Sequence, residues 1–244
     1  MAKSQLPQTW DVPLIFRQRL GDAVGRQRLM KADGHLLLVL HKPPSGGASL
    51  RIGRYFWKSP EGVWQGHEPG GRSITLANHL AEYGEAIDQL DKLEDQASTA
   101  SQFFDLMSEL EPLRRATRNL HRVLQEAREA APEDRDLLNF RDRAYELERS
   151  AELTYGDVKN GLDFAMAKQA EAQAASSHRM AVSAHRLNLL AAFFFPLATI
   201  SAVLGANVQH GWEGIPPPVP FFVMLATGFV GGALLAGFVS ATRK

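Results

Sequence analysis

The sequence predicts an α+β membrane protein: a small N-terminal β-meander, then a long helical stalk continuous with the first of two C-terminal transmembrane helices. Three observations predict it. Two uncharged apolar runs close the chain, Leu187–Leu204 with 18 residues and Val219–Ser240 with 22. At 1.5 Å per residue, about 20 residues in a helix cross a hydrocarbon core of roughly 30 Å. Helical periodicity starts at Ser73 and continues to the first apolar run. Ahead of it, residues 12–66 read as a β-meander, apolar-rich runs punctuated by turn pairs.

The meander is read from its turns. RLMKA leads into Asp33-Gly34, a two-residue hairpin signal, and HLLLVLHK follows. Ser59-Pro60-Glu61-Gly62 separates LRIGRYFWK from VWQG, and the stretches 42–48 and 67–71 read as loops. Four strands fit, so the sheet needs a helix or a neighbouring subunit as cover.

The stalk begins with Leu76, Leu80, Tyr83, Ile87 and Leu90 on one helix face. Residues 98–101 break it, and a second helix runs to about Ala130 with Pro112 at a kink or in the first turn. After the turn 131–134, Asp134 or Asp136 caps a third helix. If Gly156 and Gly161 are absorbed, that helix runs from about 136 to 204, roughly 100 Å. The resulting organisation is a cytoplasmic β-rich domain (1–72), a cytoplasmic stalk (73–186), a first span (187–204), an outer loop (205–218), a second span (219–240) and a basic tail (241–244).

Composition narrows the function. Lys plus Arg and Asp plus Glu both count 27, so no polyanionic partner is indicated and no nucleic acid is expected. The absence of cysteine removes disulfides, thiol catalysis and thiolate metal sites. MAKSQLPQTWDVP lacks the apolar centre of a signal peptide. No zinc-protease, nucleophile-elbow or phosphate-loop pattern occurs, so no enzyme and no resident cofactor are expected. Arg179, Arg186, Arg243 and Lys244 flank the spans on one side, whereas 205–218 carries Glu213 and no Lys or Arg. The positive-inside rule then puts both termini in the cytoplasm. In the second span, Gly228-x-x-x-Gly232 points to helix association, including with another copy of the chain. The acidic residues Glu82, Glu85, Asp88, Asp91, Glu94 and Asp95 read as a solvated helix face rather than a cation site.

Steps of four and three along the long helix trace one seam: Ala170, Ala174, Ser177, Ala181, Ala184, Asn188, Ala191, Phe195, Ala198, Ala202. Eight of these ten are Ala or Ser, where a coiled-coil core would carry Leu or Ile. Two readings stay open: tight packing against another helix, or a seam facing a water-filled axis with Phe195 as its constriction.

The chain resembles the CorA-type two-span metal-ion transporters, whose signature is Gly-x-Asn at the end of the first span. The matching features are the long helix, Pro196 within the span, Gly205-Ala206-Asn207 at its end with the proline eleven residues before the asparagine, and a short loop before a second span and basic tail. The likeness covers about 100–244. It implies a homopentamer in the cell inner membrane, with the first span lining an axial pore and Asn207 holding a hydrated cation at the outer mouth through its amide oxygen. It further implies pore-lining roles for Ala202, Ala198, Phe195, Leu187, Ala184 and Ala181, five of which lie on the seam. With Asn188 and Ala191 from the seam, these are the candidate lining residues, and Phe195 is the candidate gate. The expected cargo is Mg2+ or Zn2+: the family's magnesium transporters carry Met where this chain has Ala206, and zinc-transporting relatives vary there. The alternative function is a non-conducting, membrane-anchored coiled-coil scaffold or sensor.

Overall fold

The computed structural model describes residues 5–44, 51–205, 211, 214–216 and 218–241. The chain divides into two compact units, 1–167 and 168–244.

The first unit opens with a short helix, α1 (Leu14–Arg19), where the sequence suggested the start of the meander. A five-stranded antiparallel sheet follows in the order β1-β2-β3-β4-β5: Arg28–Ala32, His35–His41, Gly53–Lys58, Trp64–Glu68 and Arg72–Ser73. Ala32 pairs with His35, and the two residues between them hold positive φ (Asp33 49°, Gly34 77°), as a tight hairpin requires. The fifth strand was missed because it is two residues long and carries no apolar alternation.

The sheet is covered on both faces from within the chain. Leu36, Leu38, Leu40 and Phe56 join the core made with the helices, while Leu37, Val39, Tyr55 and Trp57 pack with Leu6, Trp10 and Phe16. This explains why HLLLVLH reads as an almost continuous apolar run: both faces of the strand are buried. Arg17 clamps the N-terminal segment by donating to the carbonyls of Leu6, Pro7 and Trp10 at 3.3, 2.7 and 2.9 Å. No neighbouring subunit is needed as a lid for this sheet.

Three helices build the stalk. Helix α2 (Leu76–Glu94) is capped by Thr75, whose hydroxyl accepts from the Asn78 N–H, and it buries Leu76, Leu80, Tyr83, Ile87 and Leu90. Helix α3 (Ala100–Ala130) starts on a reciprocal capping box between Thr99 and Gln102. Pro112 lies inside α3, well past its first turn. Of the two candidate caps for the next helix, Asp134 is the one used: its carboxylate accepts from the N–H groups of Asp136 and Leu137 at 2.9 and 3.2 Å. Helix α4 then runs unbroken through 71 residues, Arg135–Gly205. Both glycines are absorbed, and Gly161 is where Phe103 of α3 presses against the α4 backbone.

Between sheet and stalk lies a buried polar knot. Arg54 on β3 has no exposure; it donates to Glu68 at 2.8 Å, to Glu82 of α2 at 2.7 Å and to Nδ1 of His79 at 3.0 Å. Tyr83 donates to the carbonyl of His41 at 2.9 Å. Burial, reinforced by the Arg54 charge, pushes His79 down to about 3, so its ring is neutral. Glu82 is therefore an internal counter-charge rather than part of a solvated acidic face.

The second unit contains the remainder of α4 and helix α5 (Val219–Ala241). Both α4 and α5 contain a stretch long and apolar enough to cross a membrane.

Candidate functional site

The site is a face of α4, and α5 defines which face. Glycines bring the two helices into backbone contact. A Cβ at Gly228 would stand 2.6 Å from Leu197 Cδ1; one at Gly232 would stand 2.5 Å from the Phe193 carbonyl oxygen. Gly231 faces Pro196, and the rings of Phe193 and Phe229 meet edge to face at 5.4 Å. The α5-facing side of α4 thus includes Phe193, Pro196 and Leu197. Val182, His185, Leu189, Ala192 and Ile200 share their partial burial at helical spacing.

The candidate lining residues lie on the other side. At about 100° per residue, the seam through Ala184, Asn188, Ala191, Phe195, Ala198 and Ala202 is centred about 180° from that contact face. Each of these six is exposed, as are Ala181 and Leu187, with Phe195 at 71 %. Leu187 sits on the flank of the seam. From Leu187 to Val203 the helix carries no ionisable side chain, and the Thr199 hydroxyl is turned back onto the Phe195 carbonyl at 2.8 Å. An exposed strip of methyl groups with one amide and one aromatic ring presents little to hold a dehydrated ion.

Gly205 is the last residue of α4, with open space where a Cβ would be. Ala206 and Asn207 lie outside the described residues. The Gly228-x-x-x-Gly232 pair, read from sequence as a helix-association signal and more weakly as one for another copy, packs against α4 of its own chain. Its signal was visible, but only the fold assigned its partner. Among the described residues, no group of three or more His, Asp or Glu is placed to hold a metal ion.

The family model of the CorA-like Mg2+ transporter protein matches residues 75–239, from the residue before α2 to two residues short of the end of α5. The chain belongs to that family. CorA-like proteins are divalent-cation transporters and not enzymes. The membrane reading of α4 and α5 follows from the same membership. The structure of full-length CmaX is similar over 93 % of this chain and 79 % of its own, with a TM-score of 0.52 at 15 % identity, which shows a shared fold. The CorA magnesium transporter from Methanocaldococcus jannaschii aligns over 89 % of this chain and 79 % of its own, at 11 % identity and a TM-score of 0.39. No curated protein matches the sequence. The CorA-like match begins after the five-stranded sheet, which lies outside the matched segment.

Proposed function

We propose that the chain assembles as a homopentamer and conducts hydrated Mg2+ or Zn2+ along an axis lined by the small-residue face of α4. Both termini are then cytoplasmic and the 205–218 loop faces outward. The observation that carries this reading is the position of α5. It packs against the side of α4 that bears Phe193, Pro196 and Leu197, which leaves the opposite, small-residue side for the axis. Side chains that face lipid are ordinarily bulky, whereas Ala184, Ala191, Ala198 and Ala202 are methyl-sized and Asn188 is polar.

Five copies of Asn207, beyond the end of α4, present a ring of amide oxygens at the outer mouth. A small divalent cation sheds water reluctantly, so neutral oxygens that bind its hydration shell suit it better than a carboxylate cage. Gly205 lets the backbone leave the helix ahead of that ring. Deeper in, five Phe195 rings form an apolar constriction that blocks hydrated ions by dewetting until the helices move apart.

The test is uptake of Mg2+ and of Zn2+ into liposomes containing the purified protein. Wild type is expected to carry at least one of the two, Asn207→Ala to reduce uptake at least tenfold, and Phe195→Ala to raise it. No uptake of either ion by an intact oligomer, with the gradient tried in both directions, would sink the proposal in favour of the scaffold.

A further inference from the structure

The long helix carries a second stripe, on the side away from the seam. Lys168, Arg179 and Arg186 are the only cationic residues from 168 to 216, and Glu171 is the only acid between Lys168 and Arg186. Arg179 precedes Leu197 by 18 residues, five full turns, and Arg186 precedes it by 11. All three cations therefore fall within about 20° of the line through Leu197, the residue that touches Gly228 of α5. None is paired with a carboxylate among the described residues, and all three are exposed. Arg179 donates through Nε to the carbonyl of Ala175 in its own helix, at a long 3.4 Å.

Height sorts the three. Arg186 directly precedes the apolar run that starts at Leu187. Arg179 lies about 10 Å further along the helix and Lys168 about 27 Å, at 1.5 Å per residue. Polar headgroup layers add roughly 5–8 Å beyond each side of the hydrocarbon core, and an arginine side chain reaches several ångströms further. Arg186 and Arg179 reach that layer, and Lys168 does not.

We propose that Arg179 and Arg186 form a binding site for the phosphate of an anionic phospholipid, on the α5-facing side of α4 beside the end of α5. A planar guanidinium grips a phosphate with two parallel N–H donors, and two of them spaced two turns apart clamp one headgroup from below and beside. The absence of any acid between Glu171 and Glu213 leaves the lipid as the counter-charge. The proposal rests on α4 and α5 being membrane spans, and it is independent of which ion moves or whether one does.

The experiment is lipid retention by the full-length protein, read by native mass spectrometry and by thermal midpoint in nanodiscs. The discs are either pure phosphatidylcholine or phosphatidylcholine with one quarter phosphatidylglycerol. Wild type is expected to retain phosphatidylglycerol and to melt higher in its presence. The Arg179→Gln/Arg186→Gln double variant should bind it roughly twentyfold more weakly, in line with two surface cations each acting on an anionic headgroup. Lys168→Gln should behave as wild type. Equal retention by the double variant overturns the site, and so does an equal loss in Lys168→Gln. If 10 mM inorganic phosphate in phosphatidylcholine discs reproduces the higher midpoint, the site is one for free phosphate and the lipid assignment fails. Transport is not the readout, so a negative uptake assay leaves this result to be judged separately.

Discussion

Gly232 of α5 lies on the backbone of Phe193 in α4: a Cβ there would stand 2.5 Å from the Phe193 carbonyl oxygen and 3.2 Å from its Cα. The obstacle is backbone, which cannot swing aside as a side-chain tip does. Gly232→Ala should therefore destabilise the helix pair by about 1–3 kcal/mol, and Gly232→Val by more. Gly237, with open space around it, should accept Ala without loss. Thermal midpoints of the three variants in one detergent check the contrast; equal midpoints would mean the two helices are not in this register.

The two sides of α4 differ in what they face, and a chain without cysteine allows a clean cross-linking test. Ala191→Cys on the seam should be joined between subunits by a short bismaleimide, giving dimers and higher species on a denaturing gel. Leu197→Cys, against Gly228 of its own chain, should not. The reverse pattern would put the wrong face on the axis.

Arg54 holds two carboxylates from different elements, Glu68 and Glu82, while itself having no exposure. Arg54→Met keeps the bulk but leaves two like charges near one another and His79 without its donor. The glutamates keep some solvent contact, so the cost is expected at about 2–3 kcal/mol, below that of a fully buried pair. Chemical denaturation followed by tryptophan fluorescence reports it, since Trp10, Trp57 and Trp64 all belong to this unit. Glu82→Gln should cost less, because Arg54 retains Glu68.

His79 stays neutral down to about pH 3 in the folded chain, against an ordinary 6.5. The unfolded chain therefore takes up this proton first as pH falls. The stability linked to His79 is complete above pH 6.5 and is lost progressively between 6.5 and 3. Between pH 7.5 and 5.5 the loss is on the order of 1 kcal/mol. His79→Gln keeps an oxygen for Arg54 to donate to and removes the titration, so its denaturation midpoint should depend less on pH over that interval. An unchanged pH dependence would assign the effect to His41 and His67, both also lowered by burial.

The parts most legible in the sequence were those governed by local rules. The Asp33-Gly34 hairpin, the stripe Leu76–Leu90 on α2 and the two uncharged spans each follow from a backbone preference or a burial period. Each is found where the sequence reading placed it. The seam was legible for the same reason: a run of small residues at coiled-coil spacing stands out against any ordinary core. Local rules also misled in places. Leu14–Arg19 lies in the stretch read as the start of the meander, and it is helix instead, with Phe16 anchored beneath the sheet and Arg17 tying the segment down.

Long-range pairings were not legible. Sequence offered Asp134 and Asp136 equally as caps, and Asp134 is also the residue that Lys58 reaches from the sheet. The glycine pair of α5 announced close helix contact but not with which helix, because small residues at that spacing suit any partner. Composition and periodicity alone determined that this is a two-span membrane protein with a helical stalk and a sheet. Only the tertiary structure decided that α5 occupies one side of α4, the side that also carries the arginine stripe, and leaves the small-residue side exposed. The physical reason is that a helix displays every face with the same local propensity, and the burial of one face against a particular neighbour decides what the others are for.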